Sequence, residues 1–208
     1  MTDAKKIITQ VKAGDTVKAY GYEFEVLDTE YETEDGNKKG ILCLTKDIVK
    51  MMAFSEDNDN DYSKSDVKKY IEELTEELRE KGAVIYPVRL DLTADDGTGW
   101  DKESLYVDGG FLLTGRMYQD YRRYISDKSD WWWLATAYSF SFGNPLNARL
   151  VSTVGALGTG SAYSGNNGVV PAYVFSFLPD EKKAEIREIR EQISELVKRL
   201  DAMEATVK

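Results

Sequence analysis

The residue types that could do chemistry in this chain are mostly carboxylates. Ser55-Glu56-Asp57-Asn58-Asp59-Asn60-Asp61 puts oxygen ligands at alternate positions, as a calcium loop does. Tyr62 stands where such a loop needs glycine and Lys68 where it needs a bidentate glutamate, so a solvated loop is expected. Asp91, Asp95, Asp96, Asp101 and Glu103 surround Gly97-Thr98-Gly99, dense enough for a hard cation but matching no ligand spacing, and a surface loop is expected again. The chain has no histidine, which removes the usual general base, the Ser–His and Cys–His nucleophile pairs and imidazole metal sites. Its single cysteine, Cys43, permits neither an internal disulfide nor a thiolate zinc cluster. No metal, no cofactor and no catalytic residue is expected, and the chain reads as a non-enzyme.

A different chemistry is written between Leu134 and Leu178. The chain is 31% charged, yet between Leu134 and Leu178 the one charged residue is Arg149. Ser, Gly, Asn, Tyr and Phe fill that stretch, the composition that paratopes favour: rigid aromatic contact area beside adaptable hydrogen bonding. Tyr138, Phe140 and Phe142 alternate with Ala137, Ser139 and Ser141, so on a strand three aromatics share one face. An exposed anchor cluster is the expectation, with core filling the alternative. The candidate ligand-binding set is Tyr138, Phe140, Phe142, Asn144, Leu146, Leu150, Ser152, Val154, Tyr163 and Asn166. The set expected to hold the scaffold is Trp132, Trp133, Leu134, Val151, Leu157, Val169 and Pro171. Trp131-Trp132-Trp133 on a strand must point to alternate faces, so the trio is expected to anchor the core with its flank at the edge of a site.

The elements that must position these residues can be read from periodicity. Residues 1–13 carry Ile7, Ile8 and Val11 at helical spacing and predict a short helix as an N-terminal segment. Val17–Tyr20, Tyr22–Leu27 and Gly40–Leu44 read as strands, the last two joined through Glu34-Asp35-Gly36-Asn37, a hairpin signal. Ser63-Lys64-Ser65-Asp66 reads as a helix start, with Ser63 and Asp66 spaced as a capping box. Val67, Tyr70, Ile71, Leu74 and Leu78 give that helix an apolar face and Gly82 a stop. A second helix fits Gly115–Ile125, capped by Thr114, with Met117, Tyr118, Tyr121 and Ile125 inward. Across 134–178 glycine and asparagine recur every few residues and no helical period survives, so short strands are expected, which makes the class α+β.

After Pro179 the chain turns into a dense charged helix. Ile186, Ile189, Ile193, Leu196, Leu200, Met203 and Val207 are spaced alternately three and four apart, an a/d seam. The g-to-e pairs Glu185 with Arg190 and Arg199 with Glu204 are opposite in sign, and isoleucine at both a and d leans away from dimers. A parallel homotrimeric coiled coil over 179–208 is therefore expected, the alternative being a helix folded back on its own domain. The 208 residues carry 27 Lys and Arg against 37 Asp and Glu, a net charge of −10 that argues against nucleic acid as partner. No stretch approaches the roughly 20 apolar residues of a membrane helix. Met1–Lys12 has no apolar h-region, so synthesis in the cytoplasm without a signal peptide is expected.

Between Trp131 and Phe175 stand Trp132-Trp133-Leu134, Asn147-Ala148-Arg149, the Val151…Gly155…Leu157 spacing and the exit Gly168-Val169-Val170-Pro171-Ala172. In these features the stretch resembles the variable proteins of diversity-generating retroelements. Upstream, Gly21-Tyr22-Glu23-Phe24, Tyr62-Ser63-Lys64-Ser65-Asp66 and Leu112-Leu113-Thr114 look like the first half of a related phage domain group. Where that group commonly has an Arg-Ser pair after the Trp-Leu and an Arg before the exit proline, this chain has Ala135-Thr136 and Val170. The resemblance implies a C-type-lectin-like fold over 14–178, related to formylglycine-generating-enzyme-like domains, with a hypervariable region at about 134–172. In that family miscopied asparagine codons never yield Lys, Glu, Gln, Met or Trp, and residues 134–178 contain none of them. The enzymes of the related group depend on paired cysteines, and only Cys43 exists here. What the resemblance implies is a non-enzymatic ligand-binding protein with a diversified site, a phage receptor-binding or tail-tip component carried in the virion, meeting a protein or glycan on a bacterial surface. The alternative is a fixed-site structural virion protein or host-surface binding module of the same fold.

Overall fold

A hairpin with a two-residue turn opens the fold. The computed structural model describes residues 11–33, 36, 38–95, 97–98, 105–140, 146–176 and 193. Strand β1 (Thr16–Ala19) turns through Tyr20 and Gly21, both at positive φ as such a turn requires, into β2 (Tyr22–Glu32). Then come β3 (Lys39–Thr45), β4 (Lys50–Met51), helix α1 (Asp66–Glu80), β5 (Val88–Leu90), β6 (Leu105–Val107) and helix α2 (Gly115–Tyr121). The last five strands are β7 (Trp132–Ala137), β8 (Asn147–Val151), β9 (Leu157–Ser161), β10 (Gly168–Val169) and β11 (Ala172–Phe175). The fold is thus mixed α+β, mostly sheet, with two short helices among the described residues, neither long and apolar enough to cross a membrane.

One sheet has the order β1-β2-β3-β11 and a second β4-β10-β7-β8-β9, with β5 and β6 a separate pair. The contact between β10 and β7 is parallel; the other neighbours in both large sheets are antiparallel. Val11–Phe177 forms one compact unit. Most of the helix expected over 1–13 lies outside the described residues, and Val11–Ala13 is not helical. The coiled coil over 179–208 lies outside them too, apart from Ile193, which is helical.

The expected helices form, with one change of cap. Ser65, not Ser63, starts α1: its hydroxyl accepts from the Lys68 N–H at 3.1 Å. Ser63 is already committed, its N–H and hydroxyl both donating to Asp61. Val67, Ile71, Leu74 and Leu78 are buried as the spacing requires. At the far end Ala83 N–H reaches Leu78 O and Gly82 N–H reaches Arg79 O, the paired bonds of a Schellman ending. Thr114 caps α2 through the Met117 N–H, but the α-helix stops at Tyr121 and a single 3-10 turn, Arg122–Tyr124, carries on to Ile125.

The core is built around β7. Trp132 and Trp133 point to opposite sides of it, yet both are buried, because that strand is covered on both faces. Trp132 packs edge-on against Tyr118 of α2 at 5.6 Å; Trp133 packs edge-on against Phe54 at 5.5 Å and donates its indole N–H to Met52 O. Trp131, one residue before the strand, is the member of the trio that reaches solvent.

Burial also gives the core an alkaline liability. Burial pushes the Tyr20 phenol up to about 12, and pushes Cys43, Tyr62 and Tyr173 well above their ordinary values. Groups with raised folded values keep their protons in the native state after the unfolded chain has released them. Their stabilisation is complete below the ordinary values of 9.0 for the thiol and 10.0 for the phenols and is lost above them. Lys128, lowered by burial, works in the opposite direction, but as one group against several. The urea midpoint is expected to hold steady from about pH 7 to 8.5 and to fall progressively from about pH 9 to 11. A profile flat to pH 11 would mean these groups titrate as they do in the unfolded chain.

Candidate binding face

The surface of interest rests on β7, β8, β9 and the segments joining them. The sheet is anchored to the first half of the chain mainly through backbone. Thr45 N–H donates to Pro171 O, Val49 to Val169 O, Met52 to Asn167 O and Ser55 to Ala162 O, all between 2.9 and 3.0 Å. On the α2 side, Ala135 N–H meets Leu113 O, and Gly115 N–H meets the Thr136 hydroxyl. Tyr118 donates its hydroxyl to Gly155 O at 2.7 Å, tying the β8–β9 turn to α2.

From this frame several of the candidate residues project outward. Val154 is 75% exposed at the β8–β9 turn and Tyr163 64% exposed after β9, while Tyr138, Leu146 and Asn166 are also exposed and Phe140 is half-buried. Phe142 and Asn144 lie outside the described residues. The aromatic alternation does not put Tyr138 and Phe140 on one strand face, because β7 ends at Ala137. Tyr138 instead lies under the Arg149 guanidinium, 5.2 Å from its ring centroid, and the Phe140 N–H is held by the Thr98 hydroxyl at 3.0 Å.

Two candidates belong to the interior. Leu150 is only 3% exposed: it sits directly opposite Trp133 and so shares that residue's buried side. Gly158 and Gly160 make room for this layer. A Cβ at Gly160 would stand 2.6 Å from Leu150 and one at Gly158 2.7 Å from the Trp131 ring. Ser152 is also buried, with its hydroxyl accepting from the Ala156 N–H inside the turn. Conversely Leu157, placed in the scaffold from sequence, is exposed on the edge strand. Trp132, Trp133, Leu134, Val151, Val169 and Pro171 are buried scaffold as expected.

The structure adds a feature the sequence reading did not assemble. Arg149 donates from Nε and Nη2 to Asp95, joining the one charge of the 134–178 stretch to the acidic loop. Beside this pair a cleft of about 670 Å³ opens between α2 and β8–β9, lined also by Arg116, Gln119, Asp120 and Leu157. Its lining carries both signs of charge beside one apolar side chain, Leu157. The isolation of Arg149 in an uncharged stretch was the signal that could have found it. The nearby Asp91 is held below the usual carboxylate range by the Thr93 hydroxyl and N–H. Asp96, Asp101 and Glu103 lie outside the described residues, and among those described no group of three acidic or thiol side chains gathers as a metal site needs. Cys43 is buried in β3, its thiol pushed far up by burial, so it supplies no thiolate at neutral pH.

The other acidic run is solvated in part, as expected of a loop: Glu56 and Asp57 are exposed and Asn58, Asp59 and Asp61 half-buried. Ser55 and Asn60 are buried, and Asp61 caps the 3-10 turn Tyr62–Lys64. Comparison with family models, with curated proteins and with solved structures finds no match for this chain.

Proposed function

We propose that this protein is a non-enzymatic ligand-binding protein that displays a hypervariable site on a C-type-lectin-like scaffold. The observation that carries the reading is the division of labour across 134–176. Tyr138, Leu146, Val154, Tyr163 and Asn166 turn outward from an almost uncharged stretch. The backbone around Tyr163 and Asn166 is fixed by main-chain bonds from residues 45–55 to Ala162, Asn167, Val169 and Pro171, and that of Tyr138 and Leu146 by bonds to Asn147 and Ala162. Such a frame lets side chains change while the fold stays. The return of β11 to the sheet that holds β1 supports the lectin-like reading, since it gathers the beginning and end of the unit on one sheet and leaves the intervening segments free to display.

In this reading residues 179–208 form a parallel trimeric coiled coil, which multiplies a modest site by avidity. The setting is a phage virion, as a receptor-binding or tail-tip component, and the ligand is a protein or glycan on a bacterial surface. The test is binding of the full-length protein to a panel of bacterial strains, read by fluorescence on whole cells, for the parent and for Tyr138→Ser, Val154→Ser and Tyr163→Ser. Substitution is expected to change which strains are bound. Unchanged binding across all three variants would remove these residues from the site. Sequencing the flanking genome for a near-repeat of the 134–172 coding region and a reverse transcriptase separates a diversified site from a fixed one.

A further inference from the structure

We propose that Asn58 and Asn60 are positioning residues that clamp the roots of the display segments by their backbone, so that the side chains displayed there are interchangeable. The proposal rests on the display reading above and adds the residues that make it workable. Asn60 is fully buried, and its Nδ2 donates to Ser139 O at 2.9 Å and to Asn147 O at 3.0 Å. These two carbonyls flank the stretch 140–146. Asn147 O also accepts the Tyr138 N–H at 2.9 Å, so one carbonyl fastens both the strand end and the clamp. Asn58 does the corresponding work after β9. Its Oδ1 accepts from the Tyr163 N–H at 3.2 Å and from the Ser161 hydroxyl at 3.0 Å.

Three of these four contacts are made to main-chain atoms, which every amino acid supplies apart from the N–H that proline lacks. Tyr163 shows the logic in one residue: its N–H is clamped while its side chain stands in solvent. The clamp itself is set by its own segment. Asn58 holds φ +55, a conformation asparagine tolerates better than most residues, with its N–H on Ser55 O. Asp61 N–H is held by the Asp59 carboxylate, and Ser55 N–H is anchored on Ala162 O. The asparagine pair therefore lies outside the variable stretch and acts on it, with opposite roles: Asn58 accepts, Asn60 donates.

That opposition supplies the test. Amide hydrogen exchange is measured by NMR on the full chain for the parent, Asn58→Gly, Asn58→Asp and Asn60→Ala, with the Val26 and Ala172 amides as core references. Glycine suits the positive φ of position 58 and removes the acceptor; aspartate keeps an acceptor in place. In Asn58→Gly the Tyr163 amide is expected to exchange about tenfold faster while the references stay within about twofold; Asn58→Asp should restore protection. In Asn60→Ala the Tyr138 amide should exchange about tenfold faster. Asn58→Gly with Tyr163 unmoved, Asn58→Asp indistinguishable from glycine, or equal acceleration at the references would each overturn the clamp. If Asn60→Ala does not fold, the Asn58 pair decides. A further variant, Tyr163→Ser, should leave protection at position 163 intact, and its loss would refute independence from side-chain identity. Should the clamp pass while the strain-binding panel shows no change, the display reading fails and the clamp stands, so the two are told apart.

Discussion

Trp133→Ala is expected to lower the stability of the domain by about 3–5 kcal/mol, whereas Tyr138→Ser and Tyr163→Ser should each cost under about 1 kcal/mol. Trp133 is fully buried, packs edge-on against Phe54 and gives its indole N–H to Met52 O. Truncation would remove the largest apolar surface in that layer, open a cavity under Leu150 and Gly160, and leave a half-buried carbonyl without its donor. Tyr163 has most of its side chain in water, and Tyr138 loses only one ring face against Arg149. Urea midpoints on the three variants measure the contrast. A tyrosine variant as damaging as Trp133→Ala would place that ring in the core and withdraw it from the binding face.

The second large effect concerns charge. Lys128 and Glu25 are both buried and bonded Nζ to Oε2 at 2.7 Å, with Lys128 also donating to Lys46 O. Oε1 of Glu25 takes the Ser126 N–H at 2.9 Å and the Ser126 hydroxyl. Burial pulls the ammonium below its ordinary value against the pull of the carboxylate, the mark of a pair held at a desolvation cost. Lys128→Met would strand a carboxylate in the interior and is expected to cost about 3–5 kcal/mol. The double variant Glu25→Leu with Lys128→Met should recover much of that loss, since replacing both partners removes the uncompensated charge. A double-variant cycle by chemical denaturation reads the coupling; purely additive losses would show that the two groups do not depend on each other.

Local patterns were legible in the sequence and register was not. The α1 stripe of Val67, Ile71, Leu74 and Leu78, its Gly82 stop and the Thr114 cap are each decided within a few residues of chain, and each forms as read. Leu150 was misplaced because burial of a strand residue depends on which neighbour it faces, and Trp133 lies seventeen positions away. The aromatic alternation failed at Tyr138 and Phe140 for a related reason: nothing local says that β7 stops at Ala137. Glu25 and Lys128 look like ordinary surface charges until strand β2 and the segment before Trp131 are brought together. Asn58 and Asn60 were hidden inside an acidic run, where their carboxamides read as further oxygen ligands rather than as clamps.

The position of β11 beside β3 bears on how the chain reaches this state. Leu42 and Leu44 pair with Val174 and Ala172, so the inner edge of β3 has no strand to meet until the last described strand has been made. Pairings so distant in sequence carry a large loop-closure cost and slow the approach to the native state. During synthesis the β1-β2-β3 meander would emerge first with an apolar edge open, and the ribosome would have to release Phe175 before that edge could close. Chains truncated between β9 and β11 should therefore accumulate as aggregates rather than as shortened folded domains, an open edge of this kind being a ready template for other copies.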